Sequence, residues 1–290
     1  MIKLSKLTFE FDKQNSDLIS DFLTGIGSIS VAEDFIDDSV SEICAYFPSF
    51  TDINEIIYKI KNYVNFLESE YGDIHIGSFK IEEIDESKWQ VWKDILKAVK
   101  VTDKIVIRPP WEKYKSEDEQ IVIEINPSMA FGTGHHESTR LCIEAAEQII
   151  LTDRVDSVLD VGCGSGILSI VAAKLGVKNI LAFDIDPVSI DETNKNIEKN
   201  GVKEDITTRC CEINDIEGGF DLILANVYAE PLLSMREAIR SRLNSNGKVI
   251  LSGFQDFREK EIISGYEETG FNLINKYIDG EWVSAVFSNS

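Results

Sequence analysis

Hydrophobic positions follow two rhythms along this chain, and the change from one to the other marks its elements. Residues 1–11 alternate polar and apolar side chains as a half-buried strand does. Asp17 to Leu23 reads as a short helix closed by Gly25 and Gly27, followed by strand-like runs over Ser28–Ala32 and Ile43–Phe47. Asp52 opens a second helix, because Ile56, Ile57, Ile60, Val64 and Phe66/Leu67 recur at helical spacing; Ile74 to Ile84 then returns to strand-like alternation. The order βαββαβ over residues 1–84 is that of a ferredoxin-like α+β domain, a small sheet covered on one face by two helices. Residues 85–99 read as a connecting helix with Trp89 and Trp92 on one side.

Beyond it, strands are expected at Lys104–Ile107 and Ile121–Ile125. From Val158 onward, short β-rich runs (Val158–Val161, Asn179–Asp184, Leu222–Ala225, Lys248–Ser252) alternate with helical stretches. This is the pattern of a Rossmann-like, doubly wound α/β domain, spanning residues 100–290.

The composition narrows the class of partner. The 290 residues carry 29 Lys and Arg against 51 Asp and Glu, a net charge of −22, which argues against sequence-independent contact with phosphate backbones and favours basic partners. The first 75 residues hold 14 acids and 5 lysines, which fits either a solvated face or a docking surface for a basic protein. No apolar run approaches the ~20 residues of a membrane span. Five cysteines, an odd number without metal-ligand spacing, and an opening strand in place of an export signal give a cytoplasmic expectation.

The chemistry concentrates in Val158-Leu-Asp-Val-Gly-Cys-Gly-Ser-Gly-Ile-Leu168, an apolar strand that runs into Gly162, Gly164 and Gly166 and then a helix. Glycines at such a turn let the backbone approach a ligand and bend sharply. Asp160 precedes the first glycine by two residues, and Asp184 ends the next strand, where its carboxylate can accept hydrogen bonds from both hydroxyls of a ribose. The spacing is G-x-G-x-G, whereas a dinucleotide fingerprint requires G-x-G-x-x-G and position 167 is Ile. A third strand, Asp221-Leu-Ile-Leu-Ala-Asn226, puts Asn226 at the same end of the sheet, with an amide oxygen able to accept from an amine. DNA adenine and glutamine methyltransferases carry Asn/Asp-Pro-Pro-aromatic here; Val227 and Tyr228 stand in place of the prolines, which points away from those substrates.

The glycine turn resembles the first motif of class I S-adenosylmethionine-dependent methyltransferases. Taken with Asn126-Pro-Ser-Met-Ala-Phe-Gly-Thr-Gly-His-His-Glu-Ser-Thr-Arg140 and Asn226-Val-Tyr-Ala-Glu-Pro-Leu-Leu233, the chain resembles the family that methylates protein 11 of the large ribosomal subunit. The Trp89-x-x-Trp92-Lys93, Arg108-Pro-Pro-Trp111 and Gly280-Glu-Trp-Val283 segments are also similar to that family. The resemblance implies a first domain that grips the basic ribosomal protein, a helical linker, and an N-methyltransferase domain acting on lysine side chains and the N-terminal α-amine. It further implies S-adenosylmethionine as cofactor, contacted by Thr139, Gly162, Asp184 and Asn226, with Phe131, Gly132, Thr133 and His136 lining the pocket; Asp160, Gly164 and Gly166 of the same turn are counted with the cofactor-binding residues. Asn226 takes the catalytic role in that reading. Two departures stand out: His135-His-Glu-Ser-Thr139 replaces the commoner Thr-His-Pro-Thr-Thr, and Lys88 replaces the acid that often precedes the first connector tryptophan.

Each motif also has a structural reading. Adjacent His135 and His136 fit loop and helix-cap positions better than metal ligation, since no Cys/His/Glu set has zinc spacing. Cys163 and the Cys210-Cys211 pair are expected as small buried side chains, the tryptophans as packing residues, and Asp160 as a brace on backbone amides of the loop. Other acceptors, a non-catalytic cofactor-binding module for ribosome assembly and, least, a dehydrogenase remain the competing functions.

Overall fold

The computed structural model describes residues 4–28, 30–37, 39–48, 51–84, 97–117, 119–126 and 136–289. These fall into two compact units, one within residues 1–96 and the other formed chiefly by residues 97–126 and 132–290. Most of the connecting helix read over residues 85–99, with Trp89, Trp92 and Lys88, lies outside the described residues, and its last residue, Val99, belongs to a strand.

In the first unit, β1 (Leu4–Asp12), α1 (Ser16–Gly25), β2 (Ser30–Phe35), β3 (Val40–Pro48), α2 (Ile53–Tyr71) and β4 (Lys80–Ile84) follow the expected order. The sheet runs β2-β3-β1-β4, every neighbour antiparallel. Asp52 caps α2 by accepting from the backbone N–H groups of Asn54 and Glu55. Its Ile56, Ile60, Val64 and Leu67 then meet Leu7, Phe9, Phe11, Ile43 and Phe47 of the sheet in one core. The last strand is shorter than its alternation suggests: before Lys80 there is a single bridge, between Phe11 and Ile76.

The second unit has a three-stranded sheet, β5 (Val99–Lys100), β6 (Ile105–Arg108) and β7 (Ile121–Glu124), and a seven-stranded one. The larger sheet comprises β8 (Ser157–Val161), β9 (Asn179–Asp184), β10 (Ile206–Cys210), β11 (Phe220–Asn226), β12 (Leu243–Gln255), β13 (Phe271–Asp279) and β14 (Trp282–Asn289). They are ordered β10-β9-β8-β11-β12-β14-β13, with only β14 reversed. Its helices are α3 (Glu137–Thr152), α4 (Ile167–Lys174), α5 (Pro187–Asn200), α6 (Ala229–Ser241) and α7 (Glu259–Glu268).

The apolar runs of the central strands alternate between two cores because successive side chains leave a strand on opposite faces. Val158, Leu222, Leu224 and Ile250 pack with α3, α4 and α5, while Leu159, Val161, Ile223, Val249 and Leu251 pack with α6 and α7. Strand order reverses between β8 and β11, so a crevice opens at the carboxyl ends of these strands. Four strands of the second unit were not anticipated: the two-residue β5 falls at the end of the stretch read as the connecting helix, polar Thr207, Thr208 and Arg209 disguise edge strand β10, Asn272, Asn275 and Lys276 disguise edge strand β13, and β14 follows a turn of only two residues. The edge position also overturns the expectation for Cys210-Cys211. Cys210 is exposed and Cys211 half-buried, whereas Cys163 is buried as expected.

At the opposite end of the sheet, the Asp221 carboxylate closes the chain on itself. It accepts from the backbone N–H groups of Asp156 and Ser157 and the Ser157 hydroxyl at 3.0 Å each, and from the Asn244 amide at 2.7 Å. Asp221→Ala leaves those donors unpaired and should cost the second unit about 2 to 3 kcal/mol, read from the denaturant midpoint.

Candidate functional site at the carboxyl ends of the parallel strands

Gly162, Asp184 and Asn226 end or directly follow β8, β9 and β11, so the fold brings together at one crevice three positions separated by 64 residues. The turn after β8 needs its glycines. Gly162 and Gly166 have φ of +67° and +77°, and a Cβ at either would lie 2.7 Å from Val227 Cγ1 or 2.8 Å from Thr193 Cγ2. Gly164, at φ +52°, completes the run.

Helix α5 holds this turn from behind. Asp186 caps it, with Pro187 in the first helical position, where the missing N–H costs no helical hydrogen bond. The Thr193 hydroxyl donates to Gly164 O at 2.8 Å and the Asn196 amide to Ser165 O at 2.9 Å. One turn further, Asn200 accepts from Glu124 N and donates to Glu124 O, tying β7 to the same helix face. Thr193, Asn196 and Asn200 are buried, and sequence reasoning overlooked them. Their signal is a polar row at i, i+3 and i+7 on a helix that otherwise buries Ile197, legible only once its partner is known.

The two acids of the turn sit in different surroundings. Asp160 is 1% exposed; its Oδ2 accepts from Ser169 N at 3.1 Å and Ser169 Oγ at 2.6 Å, and its Oδ1 has no hydrogen-bond partner among the described residues. It therefore braces the start of α4, where the sequence reading placed it on loop amides. Burial pushes its pKa up to about 6, against the opposing effect of the Ser169 bonds and with a further rise from Asp184. Asp184 is half-buried and accepts from Gly164 N and Asp186 N, both at 3.0 Å. Beside it Ile185 is 75% exposed, an apolar surface at the mouth of the crevice that the sequence reading also passed over. Burial raises the Cys163 thiol well above its ordinary value, so it stays protonated, consistent with its packing role.

Asn226 is joined to the start of α3. Its Nδ2 donates to Thr139 Oγ1 at 3.0 Å, and its Oδ1 is inaccessible to solvent without a partner among the described residues. Thr139 lies in the first turn of α3, fully buried, and not in the preceding loop. Ser252 of β12 donates to Ser138 O at 2.8 Å, locking the same turn against the sheet. His136 is the cap of α3: its Nδ1 accepts from Ser138 N at 3.3 Å and lies 2.8 Å from Ser138 Oγ. Burial lowers its pKa, which keeps the ring neutral and able to accept. After Asn226 the chain passes against β12 so closely that a Cβ at Gly253 would stand 2.6 Å from Val227 O. Phe131, Gly132 and Thr133 lie outside the described residues. An unpaired buried acceptor, a carboxylate at a strand end and a glycine cradle suit a ligand with hydroxyls and a reacting amine delivered to the same crevice.

Comparison with known proteins supplies the family. Residues 3–290 match the family described as ribosomal protein L11 methyltransferase. The ribosomal protein L11 methyltransferase of Thermoanaerobacter pseudethanolicus is 38% identical over 258 residues, covering 86% of this chain and 82% of the relative. That of Clostridium perfringens is 36% identical over 244 residues, covering 84% and 77%. The crystal structure of a ribosomal protein L11 methylase from Lactobacillus delbrueckii subsp. bulgaricus superposes with a TM-score of 0.63 at 34% identity, over 67% of this chain and 99% of that one.

The Asp160 environment has a measurable sign. Between about pH 4 and 6 the folded chain keeps a proton on this carboxyl that the unfolded chain has released, so the stability it contributes falls as pH rises through that window and is level above it. Asp160→Asn retains an acceptor for Ser169 and cannot ionise. Denaturant unfolding at the two ends of the window should show the variant gaining on the wild type by on the order of 1 to 3 kcal/mol at the higher pH.

Proposed function

Since the chain belongs to the ribosomal protein L11 methyltransferase family, we propose that it transfers methyl groups from S-adenosylmethionine to amines of ribosomal protein L11, at lysine side chains and the N-terminal α-amine. The observation that carries the chemistry is the inaccessible, unpaired Asn226 Oδ1 beside an amide NH2 already engaged by Thr139. Bound in the crevice, S-adenosylmethionine supplies a methyl group activated by its positive sulfonium.

The residues of this chain fit that cofactor. Asp184 is placed to accept from ribose hydroxyls, in part exchanging its bond from Gly164 N, and Ile185 offers an apolar face for a flat base. Gly162, Gly164 and Gly166 allow close backbone approach, and Thr139 acts through Asn226.

Asn226 Oδ1 accepts one N–H of the incoming amine and so aims its lone pair, while the amide cannot take the proton itself. A lysine begins near pKa ~10.4 and must arrive neutral; a dry crevice disfavours its ammonium form, and bulk water takes the proton before attack. Catalysis then rests on proximity and orientation rather than on a general base. Phe131, Gly132, Thr133 and His136 complete the pocket in this proposal, with His136 acting as the helix cap that sets Thr139.

The acidic first unit supplies docking for the basic acceptor, and the connector at 85–99 joins it to the transferase unit. Five cysteines, all free, and a ribosomal acceptor suit the cytoplasm. Among the described residues no helix is long and apolar enough to cross a membrane.

Intact-mass analysis of L11 after incubation with S-adenosylmethionine should show stepwise methyl gains. Asn226→Ala should lower turnover at saturating S-adenosylmethionine by about 100-fold or more. Full turnover in that variant would remove Asn226 from the reaction. Deleting residues 1–84 should abolish methylation of L11 and spare cofactor binding; normal methylation by the truncated chain would refute the docking role.

A further inference from the structure

The Gly280-Glu-Trp-Val283 segment has no part in the chemistry above, yet its turn touches both elements that flank Asn226. We infer that the Asp279–Trp282 turn is a clamp that fixes the orientation of Asn226, and that Trp282 is its principal positioning residue. This rests on the proposed role of Asn226 and assigns a residue outside the crevice to the same reaction.

The turn joins β13 to β14 through Gly280, at φ +59°, and Glu281. On one side it holds β12: Asp256 N donates to Glu281 O at 2.8 Å, and the Gln255 amide donates to the Glu281 carboxylate at 2.7 Å. On the other it grips the first turn of α3 at two points. The Trp282 ring meets the His136 ring edge to face, with centroids 4.4 Å apart and planes at 73°, and Arg140 donates to Asp279 at 2.6 Å.

Those two grips fall three residues before and one residue after Thr139. His136 caps the helix through Ser138 N, Ser138 O receives the Ser252 hydroxyl of β12, and Thr139 receives the Asn226 amide. The path from Trp282 to Asn226 is thus a set of short contacts through one helical turn. Its two grips differ in weight. The Arg140–Asp279 pair is partly exposed, with side chains 32% and 47% accessible, and such pairs contribute little. The half-buried tryptophan and its aromatic contact carry more. With the tryptophan gone, His136 loses its neighbour and the α3 terminus is free to shift; a displacement of about 1 Å at Asn226 is enough to cost up to about 100-fold in rate.

The test combines kinetics with a signal from Asn226 itself. In the 15N-labelled full chain, the Asn226 side-chain NH2 resonance is identified by its absence in Asn226→Asp. Trp282→Ala should move that resonance and lower kcat on L11 by about tenfold or more, with the KM for L11 and the affinity for S-adenosylmethionine within about twofold of wild type. Trp282→Phe, which keeps an aromatic edge for His136, should recover most of both. Wild-type kcat together with an unmoved Asn226 signal in Trp282→Ala overturns the inference. If that variant does not fold, Trp282→Leu keeps apolar bulk without the aromatic edge and is judged by the same two readouts, a lowered kcat with a moved signal supporting the clamp and wild-type values of both refuting it. Should the wild-type chain leave L11 unmodified, the functional reading fails on its own, and the Asn226 resonance still decides whether Trp282 positions this side chain.

Discussion

The hydrogen bond from the Asn226 amide to the Thr139 hydroxyl is the contact on which the site depends. An asparagine side chain has a donating and an accepting end, and a free one can present either. Here the helix start takes the donor, so the end left unpaired is the acceptor, and the polarity of this side chain is fixed before any ligand arrives. Keeping a buried acceptor unpaired costs roughly 1 to 3 kcal/mol. The surrounding scaffold bears that cost: β11 lies between two parallel strands, both cores are closed beneath it, and α3 is tied to β12 through Ser252.

A second separation of roles occurs in the glycine turn. Asp160 and Asp184 lie on adjacent strands, yet only Asp184 is open to the crevice. Asp160 is enclosed on the α3–α5 side of the sheet and uses one oxygen on Ser169, fixing where α4 begins. Asp184, half-buried at the end of its strand, uses its oxygens on two backbone N–H groups and keeps lone pairs for a further donor. One carboxylate is thus enclosed and the other open. The difference follows from which face and which end of its strand each occupies.

Features written in one continuous stretch were legible in the sequence. The strand, glycine turn and helix at 158–174 and the strand ending in Asn226 each carry their own local grammar, and both appear where the pattern puts them. The βαββαβ order of the first unit was legible for the same reason. What escaped depends on partners distant in the chain. Nothing local marks Thr193 and Asn196 as supports of Gly164 and Ser165, since those contacts span about 30 residues. That Thr139 stands in the first turn of a helix starting at Glu137, against Asn226, 87 residues away, likewise needs the folded partner to be seen. Edge strands β10 and β13 carry polar residues that weaken their alternation, and the exposure of Cys210 follows from that edge.

The close passage of Gly253 beneath Val227 has a consequence for how this enzyme can vary. The backbone oxygen of Val227 occupies the space of any Cβ at position 253, and the φ of +89° disfavours an L side chain independently. A substitution there must push the segment that follows Asn226, so the cost falls on the geometry of the site and not only on the stability of the strand. In a saturation library, position 253 should accept little besides glycine even though its side chain would touch neither cofactor nor acceptor. Changes to this segment must therefore begin at neighbours such as Tyr228, which is 37% exposed, and leave the glycine beneath the loop in place.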